Sequence, residues 1–140
     1  MERGNTFADS SGLFAVLVKN DPFHEAACAW LKRFQARNRR LVTTDYVLDE
    51  CVTLLGARRV RSAVPVLFDL LERSDYLLIE WIATDRFFAA RDFLLRHDDH
   101  DYSFTDCTSF VVMRELGLTE ALATDEHFRA AGFHVALPQR

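Results

Sequence analysis

Apolar residues along the chain fall into two spacings, one helical and one of short continuous runs, and together they predict helices alternating with strands. Asn5 to Asp9 reads as a short strand, and Ser10-Ser11-Gly12 as a turn into an apolar helix, Leu13 to Val18. Asp21-Pro22 supplies an N-cap and a proline at the first helical position, after which Phe23, Ala26, Ala27, Trp30, Leu31 and Phe34 recur at the helical period. Arg37 to Arg40 is the polar loop behind that helix. Leu41-Val42-Thr43-Thr44 is the next strand, and Asp45 to Ala57 a helix with Val47, Leu48, Cys51, Val52, Leu54 and Leu55 on its apolar side. Ser62 to Arg73 follows as a helix, with Pro65 in its first turn and Val66, Leu67, Leu70 and Leu71 inward. Leu77 to Trp81 is a strand. Thr84 caps a helix to about Arg96, with Phe87, Phe88, Phe93 and Leu94 as its core side. After the charged loop His97 to Asp101, Ser103 caps a helix that runs to Leu116 and stops at Gly117. Ala121-Leu122-Ala123 is a short strand, Glu126 to Ala131 a helical turn or two ended by Gly132, and Phe133 to Leu137 the last strand.

Strands separated by helices predict an α/β sandwich around a mainly parallel sheet, and in such sheets function gathers beyond the C-terminal ends of the strands. No linker, repeat or low-complexity run divides the chain, so residues 1–140 read as one domain. With 49% hydrophobic residues and 12 Phe it can build a substantial core. The formal charge of −4 argues against a protein that coats nucleic acid by charge alone. Two basic clusters stand apart, Arg37, Arg39 and Arg40, and Arg58, Arg59 and Arg61; each reads as a solvated face or as a patch that steers a phosphate backbone. Cys28, Cys51 and Cys107 form no C-x-x-C pair, so neither a disulfide framework nor a zinc knuckle is implied, and a reducing compartment fits. The apolar run Phe14 to Val18 is too short for a signal peptide or a membrane span. The expectation is a cytoplasmic protein.

The acids change the picture. Counting from Asp106 at helical steps reaches Phe110, Met113 and Gly117, so this carboxylate shares an apolar face rather than the solvent side of Arg114 and Glu115. Glu50 lies three after Val47 and four before Leu54, again on an apolar stripe, while Asp49 lies off it. Asp9 closes the first strand and Asp125 follows the fourth. Burying an unpaired carboxylate is costly, so an acid on an apolar face needs a cation, a cluster of donors or a raised pKa. Any one of these acids alone reads as a cap. In a parallel sheet all four can converge on one edge, where they cannot all ionise without cations. Hard divalent ions, Mg²⁺ or Mn²⁺, answer that need with oxygen ligands, and can activate water against a phosphodiester.

Phe7-Ala8-Asp9-Ser10-Ser11, Thr43-Thr44-Asp45-Tyr46-Val47-Leu48-Asp49-Glu50, Ser103-Phe104-Thr105-Asp106-Cys107 and Ala123-Thr124-Asp125-Glu126-His127-Phe128 together resemble a PIN domain, and more closely the VapC-type toxins of bacterial toxin–antitoxin pairs. Order, spacing and length match over nearly the whole chain. The resemblance implies a three-layer α/β/α sandwich and an endoribonuclease dependent on Mg²⁺ or Mn²⁺. It implies that Asp9, Glu50 and Asp106 are the three principal metal-holding catalytic acids and Asp125 the more variable fourth, with Glu126 as the neighbour that competes for that place. Ser11 matches the small hydroxyl residue that supports the first acid, and the Ser103 cap fixes where Asp106 points. The partners implied are an RNA substrate, a second copy in a homodimer, and a small cognate antitoxin that wraps the toxin; no membrane is involved.

Rival chemistries weigh less. His97 and His100 are three apart, a plausible ligand spacing, but a charged solvated loop accounts for them; Asp101, just before Ser103, is placed to reach the pocket rim. Cys107 beside Asp106 reads as a small core residue rather than a thiol nucleophile, and His127-Phe128 as a packing and rim element. Trp30 and Trp81 read as core. An Asp-x-Asp phosphatase would need a second Asp where Ser11 stands. A degenerate PIN domain that only binds protein or RNA would lack a core acid, and all four positions are filled.

Overall fold

The computed structural model describes residues 4–138. Its centre is a five-stranded sheet, all parallel, in the order β3-β2-β1-β4-β5. The strands are β1 (Thr6–Ala8), β2 (Leu41–Thr44), β3 (Leu77–Glu80), β4 (Glu120–Leu122) and β5 (His134–Val135). The helices are α1 (Ser10–Leu17), α2 (His24–Ala36), α3 (Asp45–Ala57), α4 (Val64–Arg73), α5 (Thr84–Arg96), α6 (Phe104–Leu116) and α7 (Glu126–Ala130), with a 3₁₀ turn at Arg61–Ala63. This is the α/β/α sandwich: α1 packs against α2 and α3, α5 against α6, and α4 on β3. The order of winding reverses between β1 and β4. From β1 the chain crosses to β2 and β3 on one side, and β4 and β5 return on the other. That switch point leaves a crevice at the carboxyl ends of β1 and β4.

β1 is wholly buried, and its neighbours fix its place by backbone pairing, Phe7 opposite Val42 and Ala121. The centre of the core is aromatic. The rings of Phe7, Phe110 and Phe128 are each fully buried, and Phe110 meets Phe128 edge-on at 5.1 Å between centroids. Gly12 seats α1 on the sheet: a Cβ there would lie 2.1 Å from the Leu122 carbonyl oxygen. Only glycine permits that approach of helix backbone to strand backbone.

Several sequence expectations are corrected. Ser10-Ser11-Gly12 is the first turn of α1 itself, because Asp9 caps it. Asp21 does not cap α2; its carboxylate accepts from the Phe23 N–H at 2.9 Å in a turn, and the helix starts at His24. Thr84 lies inside α5, and Ala83, with no side-chain cap, stands at the N-cap. Of the residues read as inward, Val66, Phe87 and Phe88 are exposed, and so is Trp81, 64% accessible beyond the end of β3. Apolar character placed them inside; in the fold these positions lie at the surface. Among the described residues no helix is long and apolar enough to cross a membrane.

Candidate active site

The crevice at the switch point is lined by acids from separate elements. Asp9 leaves β1 in extended conformation and caps α1. Its Oδ2 accepts from the Ser11 hydroxyl at 2.7 Å and from the Ser11 N–H at 3.3 Å. The same Ser11 hydroxyl accepts from the Thr124 N–H at 3.0 Å, and the Asp9 N–H donates to the Leu122 carbonyl at 3.1 Å. One serine therefore ties the loop after β1 to the loop after β4 across the crevice. Asp9 is 2% exposed, and its Oδ1 is buried with no partner among the described residues.

Glu50 arrives from the second turn of α3, which Thr44 starts by accepting from the Val47 N–H at 3.1 Å. Its Oε1 accepts from the Ser10 hydroxyl, so both serines after Asp9 serve an acid. Asp49 is exposed. Asp106 opens α6 in a capping box: its N–H donates to Ser103 Oγ at 3.0 Å, and its Oδ2 accepts from the Ser103 N–H at 3.1 Å. Such a cap stabilises a helix by about 1 kcal/mol. It also fixes the carboxylate, which is buried.

Asp125 caps α7, accepting from the His127 N–H at 2.7 Å. Glu126 is exposed, so Asp125 is the acid of that pair that faces the cluster. His127, read as a rim element from sequence, reaches inward. Its Nδ1 lies 2.8 Å from Asp106 Oδ2 and 3.3 Å from Asp125 Oδ1. Potential ligand atoms of Asp106, Asp125 and His127 all fall within 4.8 Å of one another. An Asp-x-His pair at a helix start puts cap and ring on one end of the helix, but only the packing of α7 beside α6 turns that ring onto Asp106.

The electrostatics record an excess of negative charge. Burial pushes the Asp9 carboxyl from its ordinary 3.8 up to about 7; the Ser11 hydroxyl pulls the other way, and Asp106 and Glu50 push further. Burial also raises Glu50, against the pull of the Ser10 hydroxyl and with Asp106, Asp125 and Asp49 adding to the rise. Burial alone would lower His127, but Asp125, Asp106 and the exposed Asp101 outweigh it, and its pKa rises. Cys107 is fully buried and its thiol is pushed up to about 11 by burial and the Asp106 charge, which removes it as a nucleophile.

The chain matches a known family. The model of the PIN domain matches residues 6–134. The chain is a PIN-domain protein. Within that family it is a VapC-type toxin ribonuclease: it is 37% identical over 95% of its length, and 98% of theirs, to the 23S rRNA-specific endonuclease VapC20 of two Mycobacterium tuberculosis strains. The crystal structure of M. tuberculosis VapC20, a Sarcin-Ricin loop cleaving toxin, superposes with a TM-score of 0.82 at 35% identity, covering 95% of this chain and 99% of that one. FitAcB from Neisseria gonorrhoeae shares the fold, with a TM-score of 0.61 at 16% identity over 93% of this chain and 95% of that one.

In this PIN domain the arginine clusters lie away from the acids. Arg37, Arg39 and Arg40 precede β2, at the edge of the sheet opposite the crevice, beside a 150 Å³ pocket lined in part by Trp30 and Arg33. Arg58 stands at the far end of α3, roughly two turns beyond Glu50, where its guanidinium covers the Phe14 ring at 5.7 Å. His97 is half-buried and His100 exposed; their rings pack with Phe93 and Tyr102 rather than with the acids.

Proposed function

We propose that this VapC-type ribonuclease is metal-dependent, with Asp9, Glu50 and Asp106 holding Mg²⁺ or Mn²⁺ and Asp125 assisting. The observation that carries the reading is the buried, unpartnered Asp9 Oδ1 amid other carboxylates. A buried acceptor without a donor costs about 1–3 kcal/mol, and a cation bound by oxygen relieves it. The donor set fits a hard divalent ion, being carboxylate oxygen throughout. The raised pKa values of Asp9 and Glu50 point the same way: burial is the main cause and the neighbouring carboxylates add to it, and a bound cation would offset both.

When bound, such an ion supplies Lewis-acid activation of water and neutralises charge on the phosphodiester oxygens. The chain's own residues do the rest. Ser11 and Ser10 aim Asp9 and Glu50, and Ser103 aims Asp106. No side chain acts as a covalent nucleophile. The substrate is RNA in a single-stranded or loop conformation, whose unstacked backbone can enter a crevice. The 37% identity to an endonuclease named for 23S rRNA puts ribosomal RNA first among the substrates to test. Family membership further supports a homodimer, a small cognate antitoxin as silencing partner, and a cytoplasmic location.

Two measurements test this. Calorimetric titration with Mn²⁺ should show binding at or below millimolar concentration; none would refute metal dependence. The Asp106→Asn variant keeps the side chain's shape and loses its charge. It should fold normally and cleave ribosomal RNA in Mg²⁺ at less than about a hundredth of the parent rate, in line with losses of charge-stabilising groups elsewhere. A variant as fast as the parent would remove Asp106 from the mechanism.

A further inference from the structure

In each carboxylate of the cluster, one oxygen takes the protein's donors. Asp9 Oδ2 accepts both Ser11 donors, Glu50 Oε1 the Ser10 hydroxyl, Asp125 Oδ1 the His127 N–H, and Asp106 Oδ2 the Ser103 N–H together with His127 Nδ1. The opposite oxygens take none of these donors, and that of Asp9, Oδ1, is buried with no partner among the described residues. Each acid thus keeps one oxygen clear of these bonds.

Asp106 is held by more than its cap requires. The Ser103 N–H, at 3.1 Å, already completes the capping box. The second contact on that oxygen, His127 Nδ1 at 2.8 Å, is shorter and comes from another element, α7. A carboxylate only accepts, so Nδ1 carries the hydrogen. With the hydrogen on Nδ1, that atom serves as a donor and not as a ligand, and Asp125 Oδ1, 3.3 Å away, is its second acceptor. The ring itself is fixed on two sides. Its backbone N–H is anchored on Asp125, and the buried Tyr102 ring meets it edge-on at 5.6 Å and 86°. Tyr102 is in turn stacked on His100 at 4.7 Å.

We propose that His127 is a positioning residue for the metal: its Nδ1–H holds Asp106 Oδ2, which leaves Oδ1 available to a metal held by the acids. This rests on the metal-dependent reading given above. It adds a group outside the four acids and couples α7 to α6 through the site. Partners of this kind, when removed, weaken metal affinity about tenfold to a hundredfold.

The experiment is calorimetric Mn²⁺ titration of the parent and of His127→Leu, His127→Asn and His127→Gln, with folding checked by circular dichroism. An Asn amide can place a donor near the position of Nδ1, and a Gln amide near that of Nε2. His127→Leu and His127→Gln should bind Mn²⁺ about tenfold to a hundredfold more weakly than the parent. His127→Asn should stay within about threefold of the parent and should cleave RNA better than the other two. Parent-like Mn²⁺ binding by a folded His127→Leu variant would overturn the proposal. So would equal weakness of the Asn and Gln variants, which would make the imidazole itself a ligand. If His127→Leu does not fold, the comparison of Asn with Gln decides alone. Absence of Mn²⁺ binding by the parent would be a different failure, that of the metal-dependent reading, and both would fall.

Discussion

The Asp9→Asn substitution should make the metal-free protein more stable at pH 8 while abolishing its activity. In the fold the Asp9 carboxyl is pushed from 3.8 to about 7, and it is 2% exposed, so solvent offers little relief. The folded-state pKa lies above the unfolded value. Below about pH 4 the group is neutral in both states and costs nothing. As pH rises towards 7 the unfolded chain ionises freely and the folded chain does not, so stability falls through that window and is level above it. Each tenfold change in proton affinity is worth about 1.4 kcal/mol, which makes the total close to 4 kcal/mol. An Asn removes this loss but puts an amide where the unpartnered Oδ1 lies, which costs about 1–3 kcal/mol. The net gain at pH 8 is about 1–3 kcal/mol, and at pH 4 the sign reverses. Glu50 and His127 slope the same way: the raised Glu50 loses stability as pH climbs from its ordinary 4.5, and His127 adds stability that disappears as pH rises through its raised pKa. Urea denaturation in chelator, followed by circular dichroism at pH 4, 6 and 8, reads all of this. The parent should lose stability with pH and the variant much less. Equal slopes, or a variant less stable than the parent at pH 8, would refute the burial-based account of Asp9.

Two further outcomes follow from the packing. Gly12→Ala should destabilise the fold by about 3 kcal/mol despite alanine's better helix propensity, because its Cβ would lie 2.1 Å from the Leu122 carbonyl oxygen; a loss below about 0.5 kcal/mol in urea denaturation would show that α1 can lift off β4 freely. Under native conditions at pH 8 a thiol reagent should label Cys28 alone, since Cys51 and Cys107 are buried with thiols pushed up to about 12 and about 11; rapid labelling of Cys107, read by mass spectrometry, would contradict its burial.

The parts of the fold legible in the sequence were those fixed by local chemistry. Leu41–Thr44 and Asp45–Ala57 carry a β-branched run followed by a Thr cap, and Phe104–Leu116 is bracketed by Ser103 and a left-handed Gly117, so their bounds are written in adjacent residues. What was not legible depended on tertiary contact. Ser10-Ser11-Gly12 has the composition of a turn, yet it is helix, because Gly12 answers to a strand 110 positions away. Trp81, Phe87 and Phe88 announce hydrophobicity but not the side on which the fold ends. Among the acids, the apolar stripes marked Glu50 and Asp106. His127 escaped because its meaning lies in the N-terminus of α6 facing that of α7, which no spacing within α7 reveals.

The bond from the Thr124 N–H to the Ser11 hydroxyl spans 113 positions, and that separation governs when the crevice can exist. A ribosome delivers chain at roughly 5–20 residues per second, so Asp9 is out many seconds before Thr124. Until β4 inserts beside β1, the central strand lacks one of its two neighbours, Gly12 has no carbonyl to rest on, and Ser11 has no donor from the far loop. Three of the four acids are then already made but not yet assembled. An enzyme built this way comes into being only after β4 and the loop behind it have left the machine that makes it.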